Sequence, residues 1–385
     1  MRVVVIGGSA AGLATALMLA RDGHAVDVLD GDDLDPGPDV EAAAKVALRP
    51  AAPQLVHPNN CRPLGRAVLR RELPDVYREL VDAGTVEAPL ADRMPPTLAD
   101  RSARPRDEDL IMLLARRSTV DWVLRKAAAE QPGIRLAGQQ RVTGLVGLPG
   151  DPPTVVGVRT GHGHLPADLV VDASGRRSKM DRWLAGIGAR PTEVESAECG
   201  IAYYSRHYRL RPGVQPPAPG QPVFVGYLRH FVVALFGADN DVVSLALCPL
   251  TEDTPMRALR DPEVHTAVAA TVPPVARWLA VADPISEVFV MGGLHNTLRR
   301  LIVDDRPVAL RLHAVGDAVC TTNPTLGRGV TLALQGAADL RAAIADFVDP
   351  VGQALAMDGA ITEHLKPWYA DQAAADSARL VAMRS

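Results

Sequence analysis

Residues 2–30, RVVVIGGSAAGLATALMLARDGHAVDVLD, decide how the rest of the chain is read. Val3 to Ile6 is a short apolar run of β-branched residues, the pattern of a strand buried on both faces. Gly7 and Gly8 make a turn. Leu13, Leu17 and Ala20 recur at helical spacing, which predicts a helix over Ala11 to Arg21 packed on a sheet. Gly23 stops it, Ala25 to Leu29 is a second strand, and Asp30 ends that strand. A helix amino terminus carries partial positive charge and unpaired N–H groups, so it suits a pyrophosphate. Glycines allow the backbone to approach it, and Gly12 allows helix and strand to pack closely. Asp30 is placed to accept hydrogen bonds from the hydroxyls of an adenosine ribose. Ser9 stands where a second glycine is usual, with a hydroxyl to offer a phosphate. The stretch reads as one nucleotide-binding βαβ unit.

Length and charge narrow the remainder. A chain of 385 residues buries a large core and is expected to form two joined domains. Net charge is −4 with both signs dispersed, which points away from nucleic acid and from an anionic membrane surface. No stretch is long and apolar enough to span a bilayer. Cys61, Cys199, Cys248 and Cys320 lie far apart without CxxC spacing, so the expectation is buried, reduced thiols in a cytoplasm and no metal site. No GxSxG, HExxH or second Gly-rich βα turn occurs, so hydrolase readings find no support and one tightly held dinucleotide is expected.

Further along, Ile134–Ala137, Arg141–Leu148, Thr154–Thr160 and Leu165–Val171 are four strand signals, the middle ones an antiparallel meander. Ser196–Leu210, Val223–Arg229, Phe231–Gly237 and Asp241–Leu247 read as a second, antiparallel sheet, with proline-rich 211–222 between its first two strands. Ile285–Leu301 is again strand-like. A buried strand over Val308–Val315 delivers Asp317, and a helix runs from Gly327 to Phe347. The remainder is helical, with a break at Pro367. The fold class is thus α/β: a Rossmann-like three-layer domain with a β-meander, an antiparallel β-sheet substrate domain and C-terminal helices. The domain boundaries follow: 1–87 with 108–190 and 285–347 for the nucleotide, 88–107 with 191–284 for substrate, and 348–385 as a helical segment.

Residues 314–334, AVGDAVCTTNPTLGRGVTLAL, bring an acid to a strand end and a bare glycine pair to a helix start. Asp317 is placed to accept from polyol hydroxyls. Gly327 and Gly329 leave a helix end free to face a ring carbonyl. Together with the first unit and DLVVDASGRRS (168–178), this segment resembles the FAD-dependent monooxygenases of the para-hydroxybenzoate hydroxylase superfamily. Within that superfamily it is most similar to bacterial natural-product epoxidase and hydroxylase-type members. The resemblance implies one FAD, with Gly7, Gly8, Ser9, Ala10, Ala11, Gly12 and Asp30 at its ADP half. It places Arg117 and Val142 on the cofactor, Gly316 and Asp317 at the ribityl chain, and Gly327, Gly329 and Val330 at the ring. It also implies insertion of one oxygen atom from O2, by epoxidation or hydroxylation, through a flavin hydroperoxide. The substrate would be an apolar or aromatic small molecule of secondary metabolism. Ser174-Gly175 stands where classical hydroxylases carry Asp-Gly, a form shared with epoxidases, halogenases and prenyl reductases. NADPH or NADH would therefore reduce the flavin either directly or through a separate flavin reductase. The four tryptophans are isolated, which sets halogenation behind an FAD-dependent reductase or dehydrogenase as the alternative. A non-catalytic flavoprotein is a further rival.

Residues 53–57, PQLVH, resemble a PQxxH stretch of related flavoproteins, which makes Gln54 and His57 candidates for the flavin edge or the substrate pocket. Residues 201–210, IAYYSRHYRL, alternate along a strand, so Tyr203, Ser205, His207 and Arg209 share one face and Ala202, Tyr204, Arg206 and Tyr208 the other. The alternation leaves open which face meets the cavity. The catalytic candidates are His57, His207, Tyr204 and Arg206. Tyr203, Ser205, Tyr227 and Phe231 are the substrate candidates.

Overall fold

The computed structural model describes residues 1–49, 52–94, 97–217 and 222–385. The nucleotide unit forms as expected, with strand Arg2–Ile6, helix Ala10–Arg21 and strand Ala25–Leu29. Gly12 is required by close approach, since a β-carbon there would fall 1.9 Å from the Gly7 carbonyl oxygen. Five parallel strands make the main sheet in the order Leu312–Ala314, Leu169–Asp172, Arg2–Ile6, Ala25–Leu29, Ile134–Ala137. Helices Ala10–Arg21, Arg117–Glu130 and Gly329–Asp346 pack together on it, and Leu13, Leu17, Val123, Leu124 and Leu334 fill the space between them. The meander is the three-stranded antiparallel sheet of Val142–Leu148, Thr154–Thr160 and Gly163–Pro166.

The second sheet has its strands in the order Val223–Tyr227, Phe231–Gly237, Val242–Pro249, Tyr203–Leu210, Ala282–Pro284, with Phe289–Met291 also paired to Tyr203–Leu210. Two long sequence signals divide here. The expected strand Ser196–Leu210 breaks at Gly200, whose φ of +66° turns the chain. Glu193–Glu198 leaves to pair with His295–Arg300 in a separate small sheet. Ile285–Leu301 likewise splits into Phe289–Met291 in the second sheet and His295–Arg300 in the small one. The strand expected over Val308–Val315 shortens to Leu312–Ala314. Part of the proline-rich 211–222 connection lies outside the described residues. Helices Pro262–Ala270 and Pro273–Leu279 cover one face of the second sheet through Tyr204, Tyr208, Leu235, Val275 and Trp278. The chain ends in helix Pro350–Ala360, one π-turn at Ile361–Leu365 and helix Lys366–Arg384. The four cysteines are buried and free, and no helix among the described residues is long and apolar enough to cross a membrane.

Candidate functional site

Two clefts with shared walls run along the carboxyl ends of the parallel strands, where open α/β sheets bind ligands. The first, about 1130 Å³, is lined by Gly7, Gly8, Ser9, Asp30, Gln54 and Val142, joined by Arg141, Ser174 and Arg177. The second, about 830 Å³, is lined by Ser9, Ala11, Gln54, His57, Arg117, Asp317, Gly327, Gly329 and Val330, joined by Pro58, Asn59, Met291, Thr322 and Pro324. Ser9, Gln54, Ala173 and Gly175 belong to both, so the two form one trough. It brings together residues distant in sequence that were expected to share one ligand. Ala10, Gly12 and Gly316, named with them, line neither cleft. Ala10 is fully buried, Gly12 packs on Gly7, and a β-carbon on Gly316 would meet Ala11.

Local chemistry explains each wall. Ser9 has φ −117°, an extended conformation that any residue adopts, so the turn has no conformational need of glycine there. Its hydroxyl is buried, caps nothing and has no hydrogen-bond partner among the described residues, and the amino-terminal amides of helix Ala10–Arg21 stand beside it. Asp30 accepts from the Gly8 amide at 2.7 Å and the Asp32 amide at 2.8 Å, which fixes its carboxylate at the edge of the first cleft. Asp172 organises the DASGRRS turn, accepting from the Ser174 amide at 2.9 Å and from the Ser174 and Ser178 hydroxyls. Burial nonetheless raises its pKa against those bonds.

Asp317 lies at the second cleft. Burial raises its pKa, and the charges of Arg117 and Arg176 oppose the rise. Gly327 is left-handed at φ +62°, and a β-carbon there would fall 2.2 Å from Asn60 Nδ2, so only glycine closes this loop. Helix Gly329–Asp346 then opens without a side-chain cap, and Gly329 and Val330 present its amino terminus to the cleft.

Arg117 lines the second cleft. It is 9% exposed, its Nε has no partner, and its guanidinium makes no hydrogen bond among the described residues. Burial lowers its pKa, and the Asp121 and Asp317 charges counter that in part. A buried, unbonded cation is costly unless a ligand completes it. The buried Thr322 hydroxyl, also without a partner among the described residues, faces the same cleft. This set of an orphaned cation, orphaned hydroxyls, two uncapped helix starts and acids at either end fits an extended ligand with anionic phosphates between polyol hydroxyls. FAD has that form.

The strand Tyr203–Leu210 turns its Tyr203, Ser205 and His207 face toward the site. His57 is the only catalytic candidate that lines a cleft. Its Nδ1 is 2.8 Å from the Ser205 hydroxyl, and burial, helped by His207 and Arg176, pushes its pKa down to about 3, so the ring is neutral. Tyr203 and Ser205 stand behind His57, not in the cavity; Ser205 is fully buried, and the Tyr203 hydroxyl donates to Asn323. His207 spends its nitrogens on the Ser244 hydroxyl at 2.9 Å and the Val56 carbonyl at 3.1 Å, which makes it a structural tie. Tyr204 and Arg206 lie on the opposite face. Tyr204 packs under the helices, and Arg206 donates to the Ser286 and Pro262 carbonyls and to Thr266. Phe231 belongs to that same buried layer, and Tyr227 is 60% exposed at the end of an edge strand. Tyr204, Arg206, Phe231 and Tyr227 thus line neither cleft.

Sequence reasoning missed Arg49, which pairs with Asp30 at 3.5 Å, Asp32 at 3.3 Å and Asp121 at 3.2 Å. It stands in the same loop stretch as Gln54 and His57, where a lone arginine beside an acidic loop was the available signal. Met291 carried no signal, because only the sheet pairing brings it to the cleft.

No family model matches the chain. The structure of Pseudomonas aeruginosa PqsL in complex with 2-aminobenzoylacetate superposes with a TM-score of 0.67 at 17% identity, covering 97% of this chain and 94% of that one. The flavin-dependent brominase Bmp2 gives 0.65 at 17% identity, covering 96% and 84%. The fold is that of the flavin-dependent monooxygenases and halogenases. A myxobacterial FAD-dependent halogenase, the chondrochloren halogenase CndH, gives 0.66 at 16% identity over 92% of this chain and 77% of its own. In sequence, the chain is 26% identical over 370 residues to Protein Rv3254 of Mycobacterium tuberculosis strain H37Rv, covering 89% of this chain and 72% of that protein.

Proposed function

We propose that this protein is an FAD-dependent monooxygenase that places one oxygen atom of O2 on an apolar or aromatic small molecule. The observation that carries the reading is Arg117, a buried guanidinium without a hydrogen-bond partner among the described residues, in a trough that Asp30 and Asp317 flank. Arg117, the Ser9 hydroxyl and the amides that open helix Ala10–Arg21 would hold the pyrophosphate. Asp30, held by the Gly8 and Asp32 amides, would take the adenosine ribose, and Asp317 the ribityl hydroxyls. Gly327 to Val330 would face the ring, where the helix amino terminus favours negative charge. The bound flavin would supply the two-electron chemistry and the activation of oxygen.

The chain's own residues do the rest. Pro58, Met291 and Pro324 give the second cleft an apolar border that limits water. His57, in the loop after Pro53–Val56 and bonded to Ser205 of the second sheet, meets the cavity. With Nδ1 committed to Ser205, its Nε2 remains to orient a hydroxyl or carbonyl of the substrate or to hold a proton there. Because the ring stays neutral, this role persists across the physiological pH range. NADH or NADPH would be the source of electrons, directly or through a separate reductase.

The test is uptake of FAD by purified protein, followed by reduction, admission of 18O2 and mass analysis of a supplied alkene or phenol library. Mass gain from 18O2 supports the reading. A protein that takes up no FAD, or that reoxidises without transferring oxygen to any substrate, overturns it. Halogenation is a second reading, favoured by the likeness to the brominase and the chondrochloren halogenase. Bromide or chloride in the same assay separates the two, since a halogenated product forms only with the halide present.

A further inference from the structure

The C-terminal helix Lys366–Arg384 carries a buried polar stripe. Gln372 and Asp376 are fully buried and Arg379 is 7% exposed. Four side chains donate to the Asp376 carboxylate: Asn323 at 2.9 Å, Asn296 at 2.8 Å, Gln372 at 3.0 Å, and Arg379. A buried carboxylate is tolerable only when it is both paired and hydrogen-bonded, and this one is.

The residues it grips belong to the loop that faces the proposed ring position. Asn323 has its side chain on Asp376 and its amide on Asn296 Oδ1 at 2.7 Å. Thr325 accepts from Gln372 at 3.3 Å. Arg328 donates to the Trp368 carbonyl at 2.8 Å and to Asp371, and its guanidinium lies 5.0 Å over the Trp368 ring. Thus three residues of the loop, all within 323–328, are fastened to one helix, while Thr322, Pro324, Gly327 and Gly329 of the same segment line the second cleft. Asn323 also accepts from the Tyr203 hydroxyl, and the Tyr203 ring stands edge-on to His57 with centroids 6.5 Å apart. Arg379 closes the set by donating to the Cys199 carbonyl, just before the turn at Gly200 that separates the two strands.

We propose that helix Lys366–Arg384 is a clamp on the ring-facing loop, that Asp376 is its anchor, and that cofactor occupancy and docking of this helix are thermodynamically coupled. The proposal rests on the FAD reading. Asp376, Gln372 and Arg379 are positioning residues that act through Asn323 and Thr325. Coupling is reciprocal: if a docked helix holds the loop in the shape that accepts the ring, then the ring must hold the helix.

An Asn at 376 has one acceptor oxygen where the carboxylate has two, and its amide would confront donors, so Asp376→Asn turns part of the cluster against itself. It also leaves Arg379 as an unpaired buried charge, which risks the fold. The double variant Asp376→Asn/Arg379→Met removes that charge while it still breaks the grip on Asn323. Arg384→Ala, which removes an exposed pair with Glu252 on the same helix, serves as the control.

Three measurements on the full-length chain apply: FAD dissociation constant by fluorescence, the visible flavin spectrum and two-electron potential, and amide hydrogen exchange over 366–384 with and without FAD. The expected result is at least about tenfold weaker FAD binding in the double variant with a displaced flavin spectrum. FAD should also slow exchange over 366–384 in the unmodified protein by about tenfold or more. Arg384→Ala should leave all three within about twofold. Unchanged FAD affinity and spectrum in a folded double variant, or exchange over 366–384 that ignores FAD, overturns the clamp and leaves the flavin reading standing. Failure of the unmodified protein to take up FAD overturns the flavin reading itself, and the clamp falls with it.

Discussion

The trough along the parallel sheet and the back of the second sheet are both rich in polar side chains, and the fold treats them in opposite ways. Arg206, behind the second sheet, donates to two carbonyls and a hydroxyl, and its neighbour Thr266 also bonds Tyr208. Arg117, in the trough, is more deeply buried, and its guanidinium makes no hydrogen bond among the described residues. Nearby, Ser9 and Thr322 repeat the deficit. On the sheet's back Arg206 is bonded, and the exception among the described residues is the buried His265 Nδ1, an uncharged nitrogen. On the proposed reading a ligand completes the trough, and its unmet donors match an anionic one. Burial sets the two arginines apart only by degree; the unmet hydrogen bonds separate them in kind.

The sharpest way to break this contrast is to neutralise each arginine in turn. Arg117→Met should weaken FAD binding roughly 10- to 100-fold, the range of a lost charge-assisted bond. The same change should leave the apo-protein as stable as before or more so, since it removes an unpaired buried charge. Arg206→Met should do the reverse: stability falls by about 2 kcal/mol and FAD affinity stays within about twofold. Thermal melts without FAD and FAD titrations read both. Loss of apo-stability in Arg117→Met would show that the trough is as self-contained as the sheet's back.

Acid probes the same difference over the whole interior. Burial holds His57 near 3 and His207, His265 and His313 near 4, all below the usual value of 6.5. Groups whose folded pKa is lowered bind protons more readily when unfolded. The imidazole contribution to stability is therefore full above about pH 6.5 and declines as the pH drops toward 4, by roughly 1 kcal/mol per imidazole per pH unit, while the buried Asp172 and Asp317, whose pKa is raised, work in the opposite sense. Urea midpoints between pH 7 and pH 4.5 should fall steadily, with slope reduced in His207→Gln. His207 sits in a finished region, so that variant should leave FAD binding alone.

How far the sequence foretold this arrangement follows from which signals are local. The strand, glycine turn, helix and Asp30 are contiguous, and their periodicities change at the turn, so the unit was legible. Asp317 and Gly327 were legible for the same reason, as a strand end and a helix start. Strand Tyr203–Leu210 was half legible: its alternation set two faces apart, but each carries tyrosine and a basic residue. What settles the matter is whether loop 52–60 or the helices from Pro262 lie across it, and that is tertiary. The C-terminal helix was the least legible element. Gln372, Asp376 and Arg379 recur at helical spacing, which reads as a solvated stripe. They are buried because Asn296, Asn323 and Thr325, from distant segments, supply the bonds that water would otherwise make.

The smallest expected effect tests the two faces of that strand against each other at adjacent residues. Tyr204 has a buried ring and a hydroxyl with no hydrogen bond among the described contacts, whereas Ser205 is bonded to His57. Tyr204→Phe should change neither stability nor turnover beyond about 0.5 kcal/mol, the range of a neutral substitution. Ser205→Ala frees the imidazole to rotate and to change tautomer. It removes one neutral hydrogen bond, worth about 1 kcal/mol, so kcat/KM should fall about fivefold with FAD affinity unchanged. Steady-state kinetics on the substrate that the 18O2 assay identifies would measure both. An equal loss in the two variants would mean that His57 takes its orientation from general packing of the strand and not from the face that Ser205 occupies.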